Sequence, residues 1–535
     1  MDFDVLIIGS GAGGGMTALA LCEQGLKVGL IERGKRFEPT KDYILNYPDW
    51  ANRPNPLEQA RRPEQTLDQH YLTPITVRGK KQQRASLTYH RVHGLGGSTL
   101  HYQGEAHRFA EHAFNTEFEF SWGVDWPINY SDLASYYARA ENLLSVAGKT
   151  GNPFKPSRDT FPTPAHALSN RSQMLAESAL KLGMQLQANT LALPSLSING
   201  RTPCQHSGGC NFGCVFGAKS SIDQAIIPRA EETGNLTLLT QTRALKLISH
   251  ASGNIDAVQC INEDKRFELS AKIVVLAMGA IETPRLLLHS SNKLAPQGLG
   301  NQHDQVGRYF METVVATLPL ELDADFTTYL GPPLDSRIWD FCRPKDKHTN
   351  GFVLGAAGYL RPSTSPVRHA IDTKGIGRAH KHAVRNSFGK QMYLFGIAEQ
   401  QPLASNRLSL SHRTDDVGVP KINAHCAYSE QDIHTLKTMK GTLKQWANAT
   451  PTRSIGRPTD TLYRSSATHV AGTCRMGHKP SDSVVDAFGK VHGHNNCYIT
   501  DASVMPTQGA GDSPSLTIQA LALRTADKIA AVLKA

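Results

Sequence analysis

The chain has 535 residues, 40% hydrophobic and 19% charged, more than one hydrophobic core usually supports, so two or more lobes are expected. Its net charge of +10 is modest for that length, and the absence of a dense basic stripe interleaved with aromatics argues against a nucleic-acid partner. No run approaches the ~20 apolar residues of a membrane helix, and nine cysteines are too few and too unevenly placed for a disulfide framework.

The opening Met-Asp-Phe-Asp leads at once into Asp4–Ile8, a continuous apolar run of the kind buried on both faces of a parallel sheet. That leaves no room for a cleavable leader, so a cytoplasmic location is expected, with export alongside a partner as the alternative. Gly9-Ser-Gly11-Ala12-Gly-Gly14 follows directly, and helical character begins at Met16 and runs to Gln24. This is a dinucleotide fingerprint in a strand–turn–helix setting. Gly9 permits the turn, Gly11 lets a pyrophosphate approach the backbone, and Gly14 lets helix pack on strand. A second strand, Lys27–Ile31, ends at Glu32, placed for an adenosine ribose. The acidic end argues against a 2′-phosphate, but the fingerprint does not separate NAD from FAD.

A second glycine loop, His93-Gly94-Leu-Gly96-Gly97-Ser98-Thr-Leu-His101, has no strand–helix pair of its own and suits backbone lying flat on a ring or phosphate. Cys204, Cys210 and Cys214 are spaced by five and three residues among glycines. They read as plain thiols or as iron–sulfur ligands, neither excluding the other at this point, with a zinc site using His206 as a poorer alternative. The segments Ile273–Arg285, Val306–Phe310, His469–Gly477 and Tyr498–Pro506 follow in that order.

On these motifs the chain resembles the glucose–methanol–choline (GMC) oxidoreductases nearly end to end. The resemblance implies an α/β fold: a Rossmann-type FAD-binding domain and a substrate lobe built on an antiparallel sheet. The expected division is residues 1–310 for FAD, 311–456 for the lobe, and 457–535 returning to the FAD domain with the catalytic motif. It implies FAD held by Gly9, Gly11, Ala12, Gly14, Glu32, Arg33, Gly94, Gly96, Gly97, Ser98, His101, Gly279, Asp501 and Ala502. The expected reaction is oxidation of an alcohol on a small molecule by hydride transfer to flavin N5, as a dehydrogenase rather than an oxidase. A redox-neutral lyase and a nicotinamide enzyme are the alternatives.

His469 occupies the position of the family's catalytic histidine, and an imidazole suits removal of a hydroxyl proton. Ser513 stands where that family carries Asn or His; it can hydrogen-bond a substrate oxygen but cannot act as a base near neutrality. It also reads as the N-cap of the last helix, with Pro514 first in the helix and Asp512 as a polar neighbour. Some relatives bond a histidine at the place of His101 to the flavin. Others carry a cysteine run that holds an iron–sulfur cluster and feeds a partner subunit, with one residue fewer between the first two cysteines than here. A partner subunit or a quinone is accordingly an expected acceptor. The lobe's aromatics, Trp339, Phe341, Phe352, Tyr359, Tyr393 and Phe395, leave sugar, polyol, sterol and aliphatic alcohols open as substrates.

Overall fold

The computed structural model describes residues 2–43, 67–72, 75–77, 80–82, 89, 91–250, 253–346, 348–358, 369–371, 373–461 and 469–535. Strand β1 (Phe3–Ile8) is buried along nearly its whole length, as an apolar run in the middle of a sheet must be. Helix α1 (Ala12–Cys22) begins directly after the glycine turn, earlier than the expected start at Met16. The glycines at its start are helical because close packing offsets their entropy. A Cβ on Gly13 would lie 1.5 Å from the Thr500 carbonyl oxygen, one on Gly14 1.9 Å from the Gly9 oxygen, and one on Gly15 2.2 Å from the Ile222 side chain. Strand β2 (Val28–Ile31) pairs in parallel with β1, Ile8 opposite Ile31, and β3 (Leu236–Leu239) extends the sheet beyond it. On the other side of β1 lies β4 (Ala271–Leu276), which leads through Gly279 into α2 (Gly279–His289).

The chain then builds a different layer. Strands β5 (Val314–Leu322), β6 (Ser336–Ile338), β7 (Phe352–Gly358) and β8 (Gln391–Ala398) belong to an antiparallel sheet completed by Thr452–Ile455 and Leu186–Ala188 at its edges. In β5 buried and half-buried positions alternate, so Val314, Ala316, Leu318, Leu320 and Leu322 face one way. They pack on helix α3 (Glu430–Ala449) around Met439, Leu443 and Trp446. A capping box fixes the start of α3: Asp432 N–H donates to Ser429 Oγ (3.0 Å) and Ser429 N–H to the Asp432 carboxylate (2.7 Å). The opposite face of β5, with Val315 and Thr317, looks into a cavity.

Finally β9 (Cys497–Ile499) returns to pair in parallel with β4, giving the order β9-β4-β1-β2-β3, and α4 (Ser515–Lys534) packs along α1. The Rossmann-type layer and the antiparallel roof are both present as expected. Helix Asn170–Leu180 and strand Leu186–Ala188 also serve the second layer, placing Leu175 and Ala179 in its core.

Gly13→Ala would force the Thr500 carbonyl away from α1. The variant is expected to unfold at markedly lower temperature, losing about 3 kcal/mol or more, measured by thermal or urea denaturation of the cofactor-free protein.

Candidate active site

A cavity of about 770 Å³ runs between the two layers, from the first glycine turn to the underside of the antiparallel sheet. At one end Gly9, with φ +100°, turns the chain where L side chains are strained, and Gly11 has open space: a Cβ there would meet nothing within 4 Å. The two glycine loops touch, since a Cβ on Gly97 would lie 2.9 Å from the Gly11 Cα. Ser10 links them. Its Oγ donates to Glu32 Oε2 (2.5 Å) and accepts from Gly96 N–H (3.0 Å), while Glu32 Oε1 accepts from Gly34 N–H (2.8 Å). Burial raises the Glu32 carboxyl against those hydrogen bonds.

Of the residues expected to hold FAD, Gly9, Gly11, Ala12, Glu32, Arg33, Gly97, Ser98, His101, Gly279, Asp501 and Ala502 line this cavity. Gly14, Gly94 and Gly96 do not. Gly14 seats α1 on the turn, Gly94 makes room for the Phe37 ring (2.4 Å from a Cβ), and Gly96 approaches Asp223 (3.2 Å). Asp501 reaches the cavity but its carboxylate serves the scaffold, accepting from Gly279 N–H (2.9 Å), Thr283 Oγ1 (2.5 Å) and Ser503 N–H (2.8 Å).

The nucleotide end is basic. Arg33, Arg91 and Arg243 all line it, and burial, then the neighbouring Arg243 and Arg91, lowers Arg33 to about 10. Glu282 is ion-paired to Arg91 (2.7 Å) and Arg285 (3.0 Å), which hold its carboxyl well below the usual range despite burial. Arg91 Nε and Nη2 and His93 Nε2 are buried polar atoms with no partner among the described residues. Donors of this kind beside an open glycine turn fit the phosphates and ring nitrogens of a dinucleotide, so the residues fit FAD. Arg91, three residues before Gly94, was missed in the sequence, and His93, at the start of that loop, was given no role.

At the other end His469 and Ser513 line the same cavity beneath Thr317, Tyr393, Phe395 and Ile397 of the roof. Trp339, Phe341 and Phe352 lie outside its lining, and Tyr359 lies outside the described residues. Burial lowers His469 to about 4; Glu105 opposes this, and Arg337 and His107 add to it. Its Nδ1 is buried with no partner among the described residues, and its carbonyl accepts from Gln508 Nε2 (2.7 Å).

Ser513 departs from the N-cap expectation. The helix starts at Ser515 with Pro514 in the cap position and no side-chain cap bond, so the Ser513 hydroxyl is not spent on the helix. Its N–H donates to His107 Nδ1 (3.1 Å). Asp512 is not in the cavity wall; it is tied to Lys155 and accepts from Trp339 Nε1 (2.9 Å).

Of the readings open for the three cysteines, the iron–sulfur one finds no support. Among the described residues no group of three or more His, Cys, Asp or Glu is arranged to hold a metal ion. Cys204, Cys210 and Cys214 are free thiols, Cys210 buried and the other two half-buried. An ammonium already occupies this loop: Lys219 Nζ, fully buried, donates to the carbonyls of Leu100 (2.7 Å), Tyr102 (3.1 Å) and Cys210 (2.7 Å). It ties the cysteine segment to the second glycine loop.

The GMC oxidoreductase family models match residues 6–314 and 402–522. The chain is 30% identical to 6'''-hydroxyparomomycin C oxidase of Streptomyces lividus, covering 100% of this chain and 92% of that protein. It is 28% identical to 2-methyl-1,2-propanediol dehydrogenase of Mycolicibacterium austroafricanum, covering 98% and 95%. A formate oxidase from Aspergillus oryzae, solved in a study of FAD modification, superposes with a TM-score of 0.68 at 15% identity over 99% of this chain and 98% of its own.

Two outcomes are expected. Gly11→Ala leaves the thermal stability of the cofactor-free protein unchanged but weakens FAD binding by about tenfold or more in fluorescence titration, because its Cβ would enter space only a ligand uses. Iron and acid-labile sulfide assays on protein purified without oxygen are expected to find well under one cluster per chain.

Proposed function

The chain belongs to the GMC oxidoreductases, FAD-dependent enzymes that act on CH–OH donors, and we propose that His469 is the base of its reaction. The observation that carries this is the half-buried His469, its Nδ1 buried without a partner among the described residues, in the wall of the cavity whose far end is the nucleotide cradle. FAD, when bound, supplies the hydride acceptor at N5. The protein's part is to orient the carbinol, take its proton and keep water out.

With its pKa lowered by burial, His469 is neutral at physiological pH and able to accept the hydroxyl proton. The hydroxyl of Ser513, free of any capping bond, can hydrogen-bond the same oxygen. The N-terminus of α4 at Pro514 and Ser515 faces the cavity, and its positive end favours negative charge that develops on reduction. On this reading residues 1–310 and 457–535 serve the cofactor and 311–456 mainly the substrate. Arg33, Gly97, Ser98, His101, Gly279 and Ala502 contact the cofactor.

The substrate is a small alcohol. The reading adopted for reoxidation is that of a dehydrogenase passing electrons to a quinone or a protein partner. The propanediol dehydrogenase likeness supports it and the paromomycin oxidase likeness opposes it. Oxygen uptake against dye reduction on the same alcohol separates the two. No helix among the described residues is long and apolar enough to cross a membrane.

Anaerobic addition of a substrate alcohol is expected to bleach the flavin, and an alcohol panel in which none does so would overturn the reading. His469→Gln is expected to slow bleaching by roughly 10²–10⁴-fold. A lowered pKa makes the base form available above it, so kcat/KM should fall as pH drops through about 4 rather than near the ordinary histidine value of 6.5.

A further inference from the structure

Outside the cavity wall lies a buried carboxylate that the reaction as described leaves unused. Glu399 directly follows β8, an inner strand of the roof, and is 3% exposed. Its Oε2 accepts from the Gln508 N–H (3.2 Å). Burial raises this carboxyl, and the amides of Ala510, Gln508 and Gly509 oppose the rise. Successive backbone N–H groups that converge on one anion form a nest, and here amides rather than a cation answer the charge. Asn350 Nδ2 donates to the Glu399 carbonyl (3.1 Å) and to Asp432 Oδ1 (2.6 Å), so the start of α3 holds the backbone that presents the carboxylate.

The turn gripped in this way is strained. Gly509, Ala510 and Gly511 have φ of +70°, +58° and +84°, a left-handed run that glycine adopts freely and alanine does not. It is also hemmed in. A Cβ on Gly511 would lie 2.1 Å from the Ile397 carbonyl oxygen of β8, and one on Gly509 2.5 Å from the Phe109 ring. The groups of the reaction stand at its two ends. Gln508 Nε2 donates to the His469 carbonyl (2.7 Å) while its Oε1 accepts from the Gln400 N–H (3.0 Å). Beyond Gly511 the chain delivers Ser513 to the cavity.

Resting on the reading of His469 as base, we propose that Glu399 is a positioning residue for His469 and Ser513, its carboxylate clamping the 508–511 turn from the roof. Without that charge Ala510 is free to relax towards negative φ, and the turn then carries Gln508 away from the His469 carbonyl and Ser513 away from the carbinol. The clamp runs from the substrate layer to the C-terminal segment, so the layer that receives the alcohol also sets the groups that act on it.

The test is anaerobic stopped-flow reduction of the FAD-loaded enzyme by a substrate alcohol, with amide hydrogen exchange of residues 507–513 measured beside it. Glu399→Gln leaves the amides without an anion. It should slow flavin reduction at saturating alcohol by about tenfold to a hundredfold, with FAD content unchanged, and speed exchange of the segment by a similar factor. Ala510→Gly reaches the same φ without strain. Alone it should alter reduction by less than about threefold, and in E399Q/A510G it should restore both readouts by about fivefold or more. A glutamate that merely stabilises the fold would not be answered by a glycine that adds no contact. Should Glu399→Gln fail to fold, Glu399→Asp, which keeps the charge but withdraws it by one methylene, is expected to show the same slowing and the same rescue. Reduction at the wild-type rate, or a slowing that Ala510→Gly leaves uncorrected, would overturn the proposal. If no alcohol bleaches the flavin, the alcohol-oxidation reading fails, and the exchange of 507–513 with its glycine rescue still decides the clamp.

Discussion

The close approach of the Thr500 carbonyl to α1 is the constraint on which the site depends. Only a residue without a side chain at position 13 allows it, and it brings the end of β9 against the first helix. Everything chemical in the C-terminal segment follows from that contact. Asp501 begins the next turn and braces Gly279, and the chain from Thr507 to Ser513 then carries Gln508 under His469 and Ser513 into the cavity. The nucleotide cradle and His469 are held in one geometry by backbone packing, which a side-chain rotamer cannot relax.

The cavity is electrostatically divided. Its cradle end gathers arginines around one carboxylate, Glu282, and leaves donors over for an anionic ligand. Its roof end balances one cation with one anion, Arg337 with Glu105, so little net charge acts on His469 and burial dominates its titration. The paired charges leave the His469 imidazole neutral without placing an uncompensated ion beside it.

Much of this was legible in the sequence because it is local. The apolar run of β1, the turn at Gly9 and the acid closing β2 are read from neighbouring residues, and the spacing of the later motifs identified the family and with it His469. What was not legible depends on partners far along the chain. Gly13 looked like filler within the fingerprint, since its reason is the Thr500 carbonyl. Ser513 followed by proline has the local signature of a cap, but the helix begins two residues later and frees the hydroxyl. Three cysteines among glycines suggested a metal centre, while the cation in that loop is the ammonium of Lys219, whose three carbonyl partners come from two separate segments. Arg337 sits on a three-residue strand without any motif, and only the packing of the roof brings it to the cavity that His469 lines.

The order of strands in the parallel sheet bears on how the protein is made. Strand β1 precedes its neighbour β4 by roughly 260 residues, and β9, beyond β4 in the sheet, comes later still in the chain. The first glycine turn can therefore emerge early but stays without its supporting wall through most of translation, and cofactor capture becomes a late, post-synthetic event. Until then β1 has β2 along one edge only, and the edge that β4 covers stays open.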